Sequence, residues 1–233
     1  LKLPTKKSEI ETDLRKFKFL IYGVPKCGKS TFASNFPNAL FICTEPGHKF
    51  LKVFGGDHVH ATWNDIKETV RNLIKEDHDF ETVVLDTVDN AWDMCSKHVC
   101  KAENISHESD ADYGKGWSAV TKEFKLVFNE LANRNYGLIF ISHEKTMEKE
   151  TKGLKRSFTD TTLGSAARKY IHGLCDFIFY GYIDDDGKRW LRTKSNDNFN
   201  AGDRAGTLPE ILPMDFNNFK TELTKGLKNV KSK

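Results

Sequence analysis

The stretch IYGVPKCGKST, residues 21–31, constrains the fold more than any other part of this chain. It follows the apolar run FKFL (17–20) and packs two glycines, a proline and two lysines into a turn that leads to a helix-forming segment. An apolar strand, a glycine turn and then a helix form a βα unit. Such units build mainly parallel sheets covered on both faces.

The rest of the chain repeats that alternation. Period and punctuation predict a strand at about 17–23 and a helix from Gly28 to about Phe36. ALFICT (39–44), TVVLD (82–86) and NYGLIFISH (135–143) read as buried strands. WNDIKETVRNLIKE (63–76), capped by Asn64 or Asp65, and GWSAVTKEFKLVFNELANR (116–134) carry apolar residues at helical spacing. DFIFYGYI and RWLRTK flank DDDGK, the pattern of a hairpin turning at Asp186-Gly187. The expected fold class is therefore α/β, a mainly parallel twisted sheet flanked by helices with an antiparallel hairpin at one edge. Residues 1–16 read as a polar extension, 17–212 as one core, and 213–233 as a helix ending in a lysine-rich tail.

Composition excludes several classes. The 233 residues are 38% hydrophobic and 30% charged, the profile of a globular rather than a disordered chain. No apolar run approaches the roughly 18 residues of a membrane span. The first residues are polar and mixed in charge, neither signal peptide nor anchor, so a cytoplasmic protein is expected. A net charge of +3 says little about partners. Five scattered cysteines fit a reducing compartment; Cys95 and Cys100 flank His98, but no second ligand pair follows, so no structural zinc is expected.

Gly23-x-x-x-x-Gly28-Lys29-Ser30 is the P-loop, or Walker A, signature. The glycines let backbone N–H groups turn inward around phosphates, and the helix start adds its positive end. Gly23, Val24, Pro25, Lys26, Cys27, Gly28, Lys29, Ser30 and Thr31 are thus the expected ATP-binding residues. Lys29 would reach the β- and γ-phosphates, and the Ser30 hydroxyl would ligate Mg²⁺. A glycine turn with a stray lysine is the plain alternative; the flanking strand and helix speak against it. Asp86, closing the strand FETVVLD, suits the Walker B role at the same metal. Asp89 reads as a helix cap.

Hydrolysis needs a group that orients or deprotonates water. The residue after Asp86 is Thr87, so the base must come from elsewhere. Glu45 directly follows ALFICT, at the carboxyl end of the next strand, where open α/β sheets bind ligands. The competing reading makes Glu45 the cap of a turn at Pro46-Gly47.

These features together resemble the RecA-type ATPases, the group of recombinases and hexameric replicative helicases. The shared features are the P-loop, a following strand ending in Glu45, Asp86 without a neighbouring Glu, and a strand ending in Ser142-His143. More narrowly, GVPKCGKST, ISHEK and AGDRAGTLPE look like small phage RecA-like nucleotide-binding proteins, some of which act in single-strand annealing recombination. The resemblance covers about residues 17–212. It implies Glu45 as catalytic base and His143 as a γ-phosphate sensor coupled to a DNA-binding loop; a histidine merely satisfied at a strand end is the alternative. It also implies that a Lys and an Arg, here best matched by Lys194 and Arg204, reach a neighbouring subunit's ATP. The stretch between those two is longer than in the helicases. A homo-oligomeric ring or filament is the implied assembly, with a single-strand DNA-binding protein as a further partner.

After His143 runs EKTMEKETKGLKRSFTDTTLGSAARKY, with no apolar period before Leu163, so a long mobile loop is expected. Lys149, Lys152, Lys155 and Arg156 could attract phosphates and Phe158 could stack on an unpaired base, which suits single-stranded DNA. A solvated loop of balanced charge is the alternative. The segment 103–117 lies where the family's other DNA loop would fall. Tyr113 and Trp117 are candidates for stacking on adenine. The expected function is a Mg²⁺-dependent, DNA-stimulated ATPase that binds single-stranded DNA in phage-type recombination, annealing or replication. If phage-encoded, it would work in the host cytoplasm. A P-loop kinase acting on a small molecule is the runner-up, and an accessory protein with little turnover stays open. A signalling GTPase is disfavoured, since Asp86-Thr87-Val88-Asp89 is not Asp-x-x-Gly and no Asn-Lys-x-Asp follows a strand.

Overall fold

The computed structural model describes residues 3, 5, 6, 8–151 and 154–231, with the side chains of all of these except 149–151, 154–156 and 231. Its central strands are β1 (Lys18–Gly23), β2 (Ala39–Cys43), β3 (Thr82–Asp86), β4 (Gly137–Thr151) and β6 (Phe177–Ile183). They lie in the order β2-β3-β4-β1-β6, all parallel. Strands β7 (Arg189–Arg192) and β9 (Ile211–Pro213) then extend the sheet antiparallel, with the short β8 (Gly202–Asp203) on β6. This is the expected α/β architecture. The β6–β7 hairpin turns where predicted, the Gly187 N–H bonding to the Asp184 carbonyl at 3.0 Å.

Burial on both faces explains why the central strands read as unbroken apolar runs. Leu20, Ile42, Val83, Leu85, Leu138 and Phe140 point into one core. There they meet helices α2 (Trp63–Lys75), α3 (Val88–Ala102), α4 (Lys115–Ala132) and α5 (Ser165–Leu174). Phe19, Ile21, Phe41, Val84, Ile139 and Ile141 point the other way, onto α1 (Lys29–Ala33) and α6 (Phe216–Lys231). Helix α1 is shorter than predicted. Helix α2 is capped not by Asn64 or Asp65 but by Thr62, two residues before Asn64, with Asp65 closing the capping box.

The segment after His143 differs most from its sequence reading. Where a mobile loop was expected, β4 runs on to Thr151 and pairs with β5 (Leu154–Thr161) in a long antiparallel ribbon. Apart from Met147, Leu154 and Phe158 its residues are polar, so they show no sustained apolar alternation, yet the backbone ladder closes and β-branched Thr146 and Thr159 pair across it.

Candidate functional site

Gly23, Cys43 and Asp86 close β1, β2 and β3, and His143, opposite Gly23, ends the parallel pairing of β4, so the sheet order sets their chemistry side by side. The Gly23 backbone has φ +146°, and a Cβ there would stand 2.0 Å from the Gly181 carbonyl oxygen on β6. Only glycine fits. Lys26 and Gly28 also take positive φ, 64° and 107°, curling the loop toward α1. The Lys29 ammonium is buried in the cup of this loop and donates to the Gly23 and Val24 carbonyls, each at 2.9 Å. Burial pushes the Cys27 thiol up, so it stays protonated and contributes shape rather than nucleophilicity.

Ser30 Oγ donates to Asp86 Oδ2 at 2.6 Å, bringing the two expected metal residues together. A hydroxyl and a carboxylate are hard oxygen donors, and Asp86 is buried at the floor of the loop, so the pair fits Mg²⁺. Held there, the ion would supply charge that offsets the phosphates. Asp86 has another partner: His48 Nε2 lies 2.8 Å from the same oxygen, both side chains almost fully buried. The Asp86 carboxylate, with Cys43 behind it, pushes the His48 pKa up to about 10.

Thr44 ties β2 to the end of β3. Its N–H bonds to the Asp86 carbonyl at 2.7 Å, and its hydroxyl accepts from the Thr87 N–H at 2.8 Å and donates to the Thr87 carbonyl at 3.0 Å. This fixes the next residue, Glu45, whose Oε2 lies 3.4 Å from His143 Nε2 and accepts from Asn90 Nδ2 at 3.3 Å. Both Glu45 and His143 are roughly two-fifths exposed or less, open toward the loop side of the sheet. The expected base and the expected sensor therefore touch.

The other expected site residues lie elsewhere. Lys194 pairs with Asp203 at 3.1 Å, and Arg204 with Asp176 at 3.0 Å and the Gly173 carbonyl at 2.5 Å. Asp203 aligns with Phe177, at the opposite end of β6 from the Gly181 that faces Gly23. Lys149, Lys155 and Arg156 are on the ribbon, Lys149 facing Arg156 in register, but their side chains and all of Lys152 lie outside the described residues. Phe158, half-buried and opposite Met147, lines a cavity of about 390 Å³ with Arg168, Lys169 and His172. Tyr113 is fully exposed, and Trp117 opens α4 on the sheet face opposite α1.

A family of AAA domains matches residues 15–205. The chain belongs to that AAA domain family. Among curated proteins this AAA domain is 25% identical over 146 residues to the SPbeta prophage-derived uncharacterized protein YorG of Bacillus subtilis (strain 168). That alignment spans 58% of this chain and 44% of YorG, so the chain matches less than half of that relative. Among solved structures, the RadB recombinase superimposes with a TM-score of 0.41 at 13% identity, over 76% of this chain and 80% of that one. So distant a likeness adds nothing to the family assignment. The AAA domain is thus a P-loop NTPase with an α/β core, as its motifs led one to expect.

Sequence reasoning missed three residues around this site. His48 comes from the turn after Glu45, and nothing in PGHKF signals that it folds back onto Asp86. Asp89 is not the α3 cap, a place held by Thr87; it bonds to β4 instead. Arg189, first residue of β7, arches over the P-loop, its Cδ 3.2 Å from where a Gly28 Cβ would stand. The signal for Arg189 was its position just past the Asp186-Gly187 turn, legible only once β6 is set beside β1.

Proposed function

We propose that this AAA domain is a Mg²⁺-dependent ATPase of the RecA type that binds single-stranded DNA during phage-type recombination, annealing or replication. The observation that carries the reading is the contact of Glu45 with His143 at 3.4 Å, beside the Ser30–Asp86 pair and the Lys29 cup. In this reading Lys29 holds the β- and γ-phosphates, Ser30 and Asp86 hold Mg²⁺, and Glu45 takes a proton from the attacking water. His143 senses the terminal phosphate through Glu45, and Arg189 meets the nucleotide from the β7 side. Cations of the β4–β5 ribbon, with Phe158, hold the DNA strand. Lys194 and Arg204, both partly exposed, serve a neighbouring subunit's nucleotide in a ring or filament, with a single-strand DNA-binding protein as a further partner. Among the described residues no helix is long and apolar enough to cross a membrane, which accords with work in the cytoplasm.

The test is steady-state ATPase activity with and without single-stranded oligonucleotide. DNA-stimulated release of inorganic phosphate is the expected result. ATP turnover unaffected by DNA, with phosphate appearing on an added small-molecule acceptor, would favour a kinase.

A further inference from the structure

Asp89 opens the first turn of α3, three residues beyond Asp86, and its two carboxylate oxygens serve both strands of the ribbon. Oδ2 accepts from the His143 N–H at 3.1 Å. Oδ1 accepts from the Ser142 hydroxyl at 2.9 Å and from the Thr162 hydroxyl. Thr162 immediately follows β5, and its N–H bonds to the His143 carbonyl at 3.0 Å. Asp89 therefore clamps the root of the ribbon where β4 leaves the sheet and β5 returns. On its other side Thr87, the residue just before α3, is held by Thr44 through two hydrogen bonds beside Glu45. A path of backbone and hydrogen bonds thus runs from Glu45 and Thr44 to Thr87, along the backbone to Asp89, and from Asp89 to the ribbon.

We infer that Asp89 is a positioning residue that couples nucleotide occupancy at the P-loop to the conformation of the β4–β5 ribbon. A nucleotide with Mg²⁺ would engage Ser30, Asp86 and the Glu45–His143 pair; His143 bonds to Asp89 directly and Glu45 through His143, while Asp86, paired with Ser30, leads to Asp89 along the backbone at the start of α3. The root has two strands joined by one carboxylate, so a shift of α3 against β4 is passed to both strands together. The inference rests on the reading of the P-loop as a nucleotide site and does not require that DNA binds.

The test is hydrogen exchange at the amides of 144–148 and 157–161, with and without Mg²⁺ and a non-hydrolysable ATP analogue. Calorimetry measures analogue affinity in parallel. In the wild type the analogue should slow exchange at these amides about fivefold or more. In Asp89→Ala the analogue should bind within about threefold of wild type, while the exchange difference falls below about twofold and kcat drops about tenfold at unchanged KM. Asp89→Asn, whose amide can accept from the His143 N–H and donate to the two hydroxyls, should restore most of the difference. Thr162→Val loosens the clamp from an exposed position and should reduce the difference even if Asp89→Ala does not fold. Two results would overturn the inference: analogue binding with no change at the ribbon amides of the wild type, or a full change in Asp89→Ala or Thr162→Val. Failure of the analogue to bind the wild type would instead refute the nucleotide reading, and the coupling with it.

Discussion

Gly23 does two things no other residue could do at its position. It takes φ +146°, and it lets β1 pass within van der Waals contact of the Gly181 carbonyl. Gly23→Ala should therefore cost about 4 kcal/mol or more of stability, read as a loss of denaturation midpoint, because backbone rather than a flexible side chain must yield. Lys29→Ala, by contrast, should leave the fold intact and abolish nucleotide binding in a fluorescent-nucleotide titration. Glu45→Gln should keep nucleotide affinity and lower kcat about 10²-fold or more, since only the proton acceptor is lost. Lost affinity in that variant would disprove its role as base. Asp160 gives a test by pH. Burial pushes its pKa up, but His172 at 3.4 Å, the Thr161 N–H at 2.8 Å and Asn200 at 3.1 Å outweigh this and hold it below its ordinary 3.8. A depressed carboxylate stabilises fully above the unfolded pKa and loses that contribution as pH falls through the folded one. The melting-temperature gap between wild type and Asp160→Asn should stay constant at neutral and mildly acid pH, then close below about pH 3.8.

At the level of elements, sequence and structure agree where burial is two-sided. Strands β1, β2, β3 and the first half of β4 announced themselves as unbroken apolar runs, and α2 and α4 as amphipathic periods. Carboxyl ends of parallel strands converge, which is why Lys29, Ser30, Asp86, Glu45 and His143 were expected near one another; the structure pairs Ser30 with Asp86 and Glu45 with His143 at that end of the sheet. The second half of β4 was not legible. Apart from Met147 its side chains are polar, and its order comes from backbone pairing with β5, which leaves no periodic trace. His48 and Arg189 were hidden for another reason: their proximity depends on which strands become neighbours, a property of the sheet and not of any local segment. The ribbon also carries its own prediction. Replacing residues 146–159 by a two-residue turn should preserve ATP binding and remove DNA binding in an anisotropy assay. Retained DNA affinity would move the DNA site off the ribbon.

On the scale of the whole molecule, the sheet divides the work between its faces. One face holds α2, α3, α4 and α5 around Trp63 and Phe124, whose rings stack at 5.6 Å. The other is closed by α1 and α6, where Phe219 is fully buried among Phe19, Phe32, Phe36, Phe177 and Phe179. Helix α6 is thus part of the wall behind the P-loop. Phe219→Ala should destabilise by about 3–5 kcal/mol and weaken nucleotide binding in step, since α1 loses its backing. Strand β4 joins these parts in an unusual way. Its 15 residues begin between β1 and β3 and end in the ribbon without a break. At roughly 3.3 Å per residue it is a rod about 50 Å long, with His143, where it leaves the parallel sheet, near its middle. A tilt of about 5° there would swing the free end by about 2 Å, so β4 works as a lever that turns a small displacement at the sheet into a larger one at the ribbon's tip.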